Sequence, residues 1–179
     1  MSCSNVEGVF TIDPTPYDHP DVARLVAELQ AEDIQIYGTP DATPVDDGEF
    51  DPPSGLFLVG RLDGEPVATG GWRRIDAAVG TGEIKRMYVV ERARGRGLSR
   101  LMLAELESTL AGAGCERVVL MTGGPQRAAI ALYESSGYGP ADAYGIYACA
   151  PDACFYSKQL SGAPASHSGA AREDAARRG

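Results

Sequence analysis

The sequence predicts a single α/β domain organised around one strand–turn–helix segment. A chain of 179 residues is long enough for one sizeable core. Residues 83–103 read EIKRMYVVERARGRGLSRLML, in which a strand closed by β-forming residues runs through a glycine-rich turn into a helix with an apolar face. A short apolar run follows at 117–121. Because strand–helix–strand units cross over with a right hand, we expect strands 84–90 and 117–121 to be parallel neighbours.

The residues before this segment predict a strand, a helix and a long loop. Residues 7–13 have strand character and are followed by prolines. Apolar residues then recur at helical spacing after Pro20, and we expect that helix to end by Gly38. Residues 38–55 carry no lysine or arginine and predict a loop, with at most one helical turn. Its acidic residues are Asp41, Asp46, Asp47, Glu49 and Asp51.

A hairpin is expected between this loop and the central strand. Residues 56–62 and 66–72 are rich in β-forming and small residues, and Asp63-Gly64 between them is a strong hairpin turn signal. We interpret Gly80 and Gly82 as bracketing a further short turn that leads into the central strand.

The second half of the chain predicts two helices and two final strands. The helix after the glycine-rich turn should run from Leu98 to about residue 113, where Gly114 stops it. A second helix is expected at 126–136, ended by Gly137. Strands are expected at 144–147 and 154–158. We assign residues 7–160 to the domain, 1–6 to an N-terminal extension and the small, polar residues 161–179 to a disordered tail.

The turn at 92–97 has the composition of an anion site. A helix start after a glycine-rich turn offers unpaired backbone N–H groups and a positive dipole end, which suits a phosphate or pyrophosphate. Four arginines surround the turn and would add charge-assisted donors: Arg92, Arg94, Arg96 and Arg100. A dinucleotide turn needs a third glycine where Arg100 stands, and the nucleotide-triphosphate motif G-x-x-x-x-G-K-S/T is absent from the chain. A solvated basic loop is the remaining alternative.

Two motifs together resemble the GNAT superfamily of N-acetyltransferases. Arg92-x-x-Gly95-x-Gly97 after a strand resembles the acetyl-coenzyme-A-binding signature of that family. Residues 126–138, QRAAIALYESSGY, resemble its last helix and the turn after it. The resemblance covers residues 7–160. It implies a mixed, mostly antiparallel sheet with helices on both faces. The central parallel strands would splay apart, and the pantetheine arm of the cofactor would lie between them.

The resemblance also implies which residues form the site. The expected cofactor-binding residues are Met87, Tyr88, Val89, Arg92, Arg94, Gly95, Arg96, Gly97, Leu98, Ser99, Gln126 and Tyr133. Glu83 is the expected base, acting through water, and Tyr133 the expected acid, because a phenol can donate to the departing sulfur without being ionised at neutral pH. Ordinary structural roles stay open for both: a strand-end carboxylate and a core aromatic. Gln126 departs from the more usual asparagine and lengthens the reach of the amide.

The implied reaction is transfer of an acetyl group from acetyl-coenzyme A to a primary amine. No cysteine lies near the motifs, so we expect direct transfer in a ternary complex. We hypothesise that the acidic residues at 41–51 lie over the mouth of the site and favour a cationic amine, whereas a plain solvated loop is equally compatible with their composition. Amino-acid-like acceptors and protein lysines or N-termini also remain candidates. A catalytically silent acyl-coenzyme-A sensor and a dinucleotide-dependent oxidoreductase are the alternatives.

Composition limits the other functional classes. The net charge of −9 is uneven, because residues 83–100 carry +4 and the remainder −13, which disfavours a nucleic-acid partner. Four cysteines without C-x-x-C spacing and two histidines disfavour a metal site and a Ser–His–Asp hydrolase. Without a signal peptide or an apolar run of membrane-spanning length, we expect a cytoplasmic protein with no membrane partner. The sequence leaves a homodimer open.

Overall fold

The computed structural model describes residues 8–46, 48–76, 78 and 80–160. The predicted extension at 1–6, the predicted tail at 161–179 and Asp47 lie outside the described residues. The helices are α1 (Pro20–Tyr37), α2 (Leu98–Gly112) and α3 (Arg127–Ser135), with a short 3₁₀ helix at Glu91–Ala93. The strands are β1 (Phe10–Pro14), β2 (Gly55–Leu62), β3 (Glu65–Asp76), β4 (Thr81–Val89), β5 (Arg117–Gly123), β6 (Gly139–Pro140) and β7 (Ala153–Gln159).

The seven strands form one mixed sheet in the order β1-β2-β3-β4-β5-β7-β6. The neighbours β4 and β5 are parallel, and the other five pairs are antiparallel. The prediction of a parallel central pair joined by a helix is therefore confirmed, as is the fold class, a single α/β domain with helices on both faces of the sheet. The hairpin of β2 and β3 turns at Asp63-Gly64 as expected, with both residues at positive φ.

The central parallel strands separate beyond Glu83. The β4–β5 pairing begins at Thr81 opposite Arg117 and ends at Glu83 opposite Val119. Yet β4 continues to Val89 and β5 to Gly123. The register between β3 and β4 also shifts between Thr69 and Gly71. Across that shift, Arg86 has a φ of 57°, an uncommon conformation for a side chain of its size. The splay leaves a gap between the carboxyl halves of β4 and β5.

Local signals set the ends of α1. Pro20 occupies the first turn, where its missing N–H costs nothing, and the ring Nδ1 of His19 accepts a hydrogen bond from the Asp21 backbone N–H. At the other end, Gly38 adopts a left-handed φ of 79° and donates to the Ile34 carbonyl. The predicted helix between Pro20 and Gly38 is confirmed, and the described residues from Thr39 to Ser54 contain no helix or strand.

Helix α2 packs closely against the sheet. The Trp72 indole N–H donates to the Thr109 hydroxyl at 3.0 Å, and a Cβ built at Gly70 would lie 2.9 Å from the Leu106 side chain. Our interpretation of Gly82 as a turn residue is wrong, because Gly82 is part of β4 and a side chain there would meet Leu110. Glycine at this position therefore lets the strand and the helix approach each other.

The predicted strand at 144–147 is also wrong. These residues form turns, and the strand beside β7 is the two-residue β6, Gly139–Pro140. Gly145 has a φ of 67°, and its carbonyl accepts from the Ala148 N–H, which closes a turn instead of a sheet ladder. Among the described residues, no helix is long and apolar enough to cross a membrane.

Candidate active site

The arginine-rich turn between β4 and α2 is open on its outer side. Gly95 and Gly97 have φ values of 76° and 79°, and a Cβ built at either glycine would meet no protein atom within 4 Å. Gly97 is the N-cap of α2 and provides no side-chain cap, so the first backbone N–H groups of that helix have no side-chain acceptor there. Leu98 is buried, which leaves its backbone N–H, and not its side chain, for an anion. The turn has the local geometry expected of an anion site.

Three of the four arginines around the turn already have protein partners. Arg92 pairs with Glu65, and Arg100 donates to the hydroxyls of Ser135 and Ser136. Arg94 pairs with Glu32, donates to the Val89 carbonyl and lies 5.5 Å from the centre of the Tyr88 ring. No ion pair or hydrogen bond is found for the Arg96 side chain within the described residues. The arginines thus brace the turn against α1, α3 and the sheet, a role that the sequence did not predict.

A first cavity of about 310 Å³ lies where β4 and β5 separate. Met87 of β4, Met121 of β5, and Gln126 and Tyr133 at α3 line it, together with Asp33 of α1. Three of the site residues predicted from the sequence, Met87, Gln126 and Tyr133, therefore face one cavity. Gln126 is the N-cap of α3 and Tyr133 lies seven residues later within the helix, and both line this cavity.

Tyr133 is almost fully buried at the wall of this first cavity. Its ring packs against those of Tyr138 and Tyr156, with centroids 5.7 and 6.3 Å away. The hydroxyl lies 4.0 Å from the Met87 sulfur. Burial raises the pKa of Tyr133 to about 12, so the phenol keeps its proton at neutral pH. A protonated phenol facing a cavity can donate a hydrogen bond or a proton to a group placed there.

Asp33 is a site residue that the sequence analysis missed. It is 9% exposed, lines the first cavity, and has no ion pair among the described residues. Burial, with a smaller contribution from the charge of Asp41, raises its pKa to about 6. Gln126 donates to its Oδ1 at 3.4 Å and accepts from Thr122 at 2.7 Å, so the amide connects β5 to α1. The sequence contained a signal for Asp33: it lies four residues after Leu29, so it falls on the apolar face of α1, where a carboxylate is unusual.

Glu83 faces a second cavity, also of about 310 Å³, and does not line the cavity that contains Tyr133. It is 4% exposed, and its Oε2 accepts from the Arg73 Nε at 2.9 Å. Arg73 also pairs with Glu49 at 2.8 Å. The two cavities are adjacent, because both are lined by Lys85, Met121 and Tyr147. The structure thus places the two predicted catalytic residues on opposite sides of a shared wall.

Tyr144 is a second residue that the sequence analysis did not identify as part of a site. It lines the second cavity, and its ring packs edge-on against Phe155 with centroids 5.2 Å apart. Its hydroxyl oxygen is buried beside the Glu83 carboxylate. Burial, and next the charge of Glu83 and a hydrogen bond to it, raise the pKa of Tyr144 far above that of a free tyrosine. A neutral hydroxyl near a carboxylate is thereby available to a polar group in this cavity.

Asp41 fixes the shared wall between the cavities. Its carboxylate lies 2.6 Å from Arg86 and 3.7 Å from Lys85, and it accepts hydrogen bonds from Thr43 and Tyr147. Burial raises the pKa of Asp41, but the hydrogen bonds from Thr43 and the charges of Lys85 and Arg86 outweigh it and lower the pKa. The 41–51 loop does approach the cavities, but Asp41 and Glu49 are paired with cations there. Asp46 is exposed.

The residues of this chain match a known family. Residues 22–138 match the model of the acetyltransferase (GNAT) family. The chain is 33% identical over 139 residues to an IAA acetyltransferase from Azospirillum brasilense, which covers 78% of this chain and 90% of that protein. It also superposes on a structure described as an acyl-CoA N-acyltransferase from Klebsiella pneumoniae, with a TM-score of 0.72 and 30% identity over 84% of this chain and 97% of the other.

A more distant structural relative shares the fold. A GNAT family acetyltransferase from Elizabethkingia anophelis, with acetyl-CoA bound, has a TM-score of 0.64 and 18% identity. The two chains overlap over 84% of this one and 98% of that one. The resemblance to this family predicted the separated β4–β5 pair and the glycine-rich turn before α2. The sequence and structure matches point to the same family. The chain belongs to the acetyltransferase (GNAT) family and is an acyltransferase.

Proposed function

We propose that this enzyme transfers an acetyl group from acetyl-coenzyme A to a primary amine in a ternary complex. The observation that carries the proposal is the first cavity, which lies between the separated strands and is lined by Met87, Gln126 and Tyr133. None of the described cysteines, Cys115, Cys149 and Cys154, lines either cavity. Direct transfer is therefore preferred to an acetyl-cysteine intermediate.

The cofactor would lie along β4 and across the turn into α2. The diphosphate would be held by backbone N–H groups of residues 95–99, with the side chains of Arg92, Arg94 and Arg96 around them. The pantetheine arm would fill the gap between β4 and β5 and contact the backbone at 87–89. This placement is supported by the end of strand pairing at Glu83 and by the open outer side of Gly95 and Gly97.

The chemistry requires one proton acceptor and one proton donor. An ammonium group would lose a proton through water to Glu83, and its nitrogen would then attack the thioester carbonyl carbon. The C–N bond forms, and backbone N–H groups near Tyr88 or Val89 would stabilise the oxyanion. As the C–S bond breaks, the sulfur takes the proton of Tyr133, and the second nitrogen-bound proton returns to the Tyr133 oxygen. The products are an amide and the thiol of coenzyme A.

The ion pair with Arg73 limits how Glu83 can act. Both Glu83 and Arg73 are held in a network with Glu49, so the carboxylate is positioned and not free to swing towards Tyr133. Action through a water molecule agrees with this placement, because the amine need not touch the carboxylate itself. Tyr133 can act as the proton donor without a water molecule, because its raised pKa keeps the phenol protonated until the proton is transferred.

The test is an acceptor screen that measures release of free coenzyme A. We expect turnover with at least one class of primary amine. Tyr133→Phe should lower kcat by about 10²-fold, and Glu83→Gln by about 10- to 10²-fold, with little change in acetyl-coenzyme-A affinity. Tyr17→Phe is the matched control, because Tyr17 packs against Phe50 and Phe57 and lines neither cavity. Acetyl-coenzyme-A binding without turnover on any amine would indicate a sensor and would reject the proposed reaction.

A further inference from the structure

We propose that the second cavity is the acceptor pocket and selects primary amines carried on an aromatic or branched aliphatic body. This inference rests on the proposed acetyl transfer and specifies its acceptor. The first observation is the position of the cavity. It shares a wall with the cavity that contains Tyr133, and Glu83 lines it. An amine in the second cavity would therefore lie beside the proposed base and next to the reacting thioester.

The second observation is the apolar character of the pocket wall. Seven of its twelve lining residues are large apolar or aromatic side chains or proline, namely Pro44, Ile75, Met121, Tyr144, Ile146, Tyr147 and Phe155. Ile75 and Ile146 are 45% and 61% exposed, although both are large and apolar. An apolar body in the pocket would remove part of this surface from water, which is favourable in proportion to the area covered.

The third observation is that the charges facing the pocket are already paired. Its charged lining residues are Arg73, Glu83 and Lys85. Arg73 pairs with Glu83 and Glu49, and Lys85 lies 3.7 Å from Asp41. A distal positive charge on an acceptor would meet no unpaired carboxylate here and would face Arg73 and Lys85. The charges thus disfavour polycationic acceptors, contrary to our expectation from the acidic 41–51 loop.

The fourth observation is the position of the Tyr144 hydroxyl, which is buried beside Glu83 at the wall of the second cavity. A hydroxyl placed there can donate to the carboxylate and still accept a hydrogen bond from an ammonium group in the pocket. The hydroxyl is close enough to Glu83 for that charge to raise its pKa. Tyr144 would therefore orient the amine nitrogen near the carboxylate, while the apolar wall holds the body of the acceptor.

The test compares two amines of similar length, 2-phenylethylamine and 1,4-diaminobutane, by coenzyme A release. The wild-type enzyme should prefer 2-phenylethylamine by at least about tenfold in kcat/KM, as expected for burial of an aromatic ring. Ile146→Asn should reduce kcat/KM for 2-phenylethylamine about fivefold and leave that for 1,4-diaminobutane within about twofold. Leu101→Asn is the matched control, since Leu101 is 45% exposed on α2 and lines neither cavity.

Tyr144→Phe provides an independent measurement that keeps the ring. It should lower kcat/KM for both amines about fivefold, because the hydroxyl contact involves the shared amine group. Equal or better turnover of 1,4-diaminobutane by the wild-type enzyme would overturn the inference while leaving acetyl transfer intact. The inference would also be overturned, with acetyl transfer intact, if Ile146→Asn lowered kcat/KM for 2-phenylethylamine no more than Leu101→Asn does. Absence of coenzyme A release with any primary amine would instead reject the proposed function, and the acceptor pocket with it.

Discussion

The hydroxyl of Tyr147 lies 3.0 Å from Oδ1 of Asp41 and joins two loops whose residues are 106 positions apart in the sequence. The same hydroxyl accepts a hydrogen bond from the Ala42 backbone N–H at 2.7 Å. Asp41 in turn pairs with Arg86 at the irregular point of β4. The wall that separates the two cavities is therefore fixed to the central strand by a polar network, and its integrity should affect both stability and acceptor binding.

Replacing Tyr147 with phenylalanine tests this network. Loss of two hydrogen bonds should lower the free energy of unfolding by about 1 kcal/mol, because Asp41 is partly buried whereas Ala42 is exposed and can bond to water. It should also raise the acceptor KM more than it lowers kcat, since the wall is a binding surface. Urea unfolding and steady-state kinetics measure the two effects. Unchanged values for both would show that the network has no role in the wall.

The buried carboxylate of Asp33 should make stability depend on pH. Its pKa rises from 3.8 to about 6 on folding, so between these values the unfolded chain loses its proton first. Stability should therefore fall as the pH rises through this range, by at most about 3 kcal/mol, and stay level above it. Asp33→Asn should remove this loss, leaving the variant more stable than the wild type at pH 8 and similar near pH 4.

The control for this measurement is Asp46→Asn, which changes an exposed carboxylate of the 38–55 loop. Urea unfolding midpoints of the wild type, Asp33→Asn and Asp46→Asn, recorded between pH 4 and 8, distinguish the effect of Asp33 from that of Asp46. A wild-type enzyme whose stability rises between pH 4 and 6 relative to Asp33→Asn would contradict the assignment, because that sign requires a lowered pKa.

The proton of Tyr133 should not limit activity at moderately alkaline pH. With its pKa raised to about 12 by burial, the phenol stays protonated up to about pH 10. Below that pH, any decrease of the wild-type kcat with rising pH should therefore also occur in Tyr133→Phe. Parallel pH profiles of both enzymes provide the measurement. A wild-type decrease near pH 9 that disappears in the variant would place the pKa of Tyr133 much lower than the structure indicates.

The left-handed conformation of Gly97 should matter for cofactor affinity. A Cβ in this conformation costs about 1–2 kcal/mol, and it would also project where the diphosphate is proposed to lie. Gly97→Ala should weaken acetyl-coenzyme-A binding by about tenfold or more in calorimetry. Gly112→Ala, at the end of α2, has space for its Cβ and should leave affinity unchanged. Equal affinities of the two variants would argue against a cofactor contact at Gly97.

Local sequence signals predicted the elements that carry the site. The strand, turn and helix from β4 to α2 follow from apolar periodicity and two glycines, and Gly38 and Pro20 define α1 because caps are short-range features. The parallel pairing of β4 and β5 also followed, since a helical crossover permits few other arrangements. Tyr133 and Gln126 line one cavity, as their spacing of seven residues suggested, although α3 begins at Arg127 and Gln126 is its N-cap.

The features that the sequence did not predict depend on long-range contacts. Asp33 becomes part of the site only because α1 packs beside β5 and Gln126, 93 positions later. Tyr144 was assigned to a strand at 144–147, whereas these residues belong to a turn region that lines the second cavity. The separation of Glu83 from Tyr133 likewise depends on a wall assembled from two loops and two strands.

The packing of Trp72 against Thr109 has a practical consequence. It is the sole tryptophan of the chain, 3% exposed, and it lines neither cavity. Its fluorescence emission should thus shift to longer wavelength when α2 detaches from the sheet, with little interference from occupied cavities. The native protein accordingly contains an intrinsic optical probe of unfolding, and no extrinsic dye or engineered label is needed to follow its denaturation.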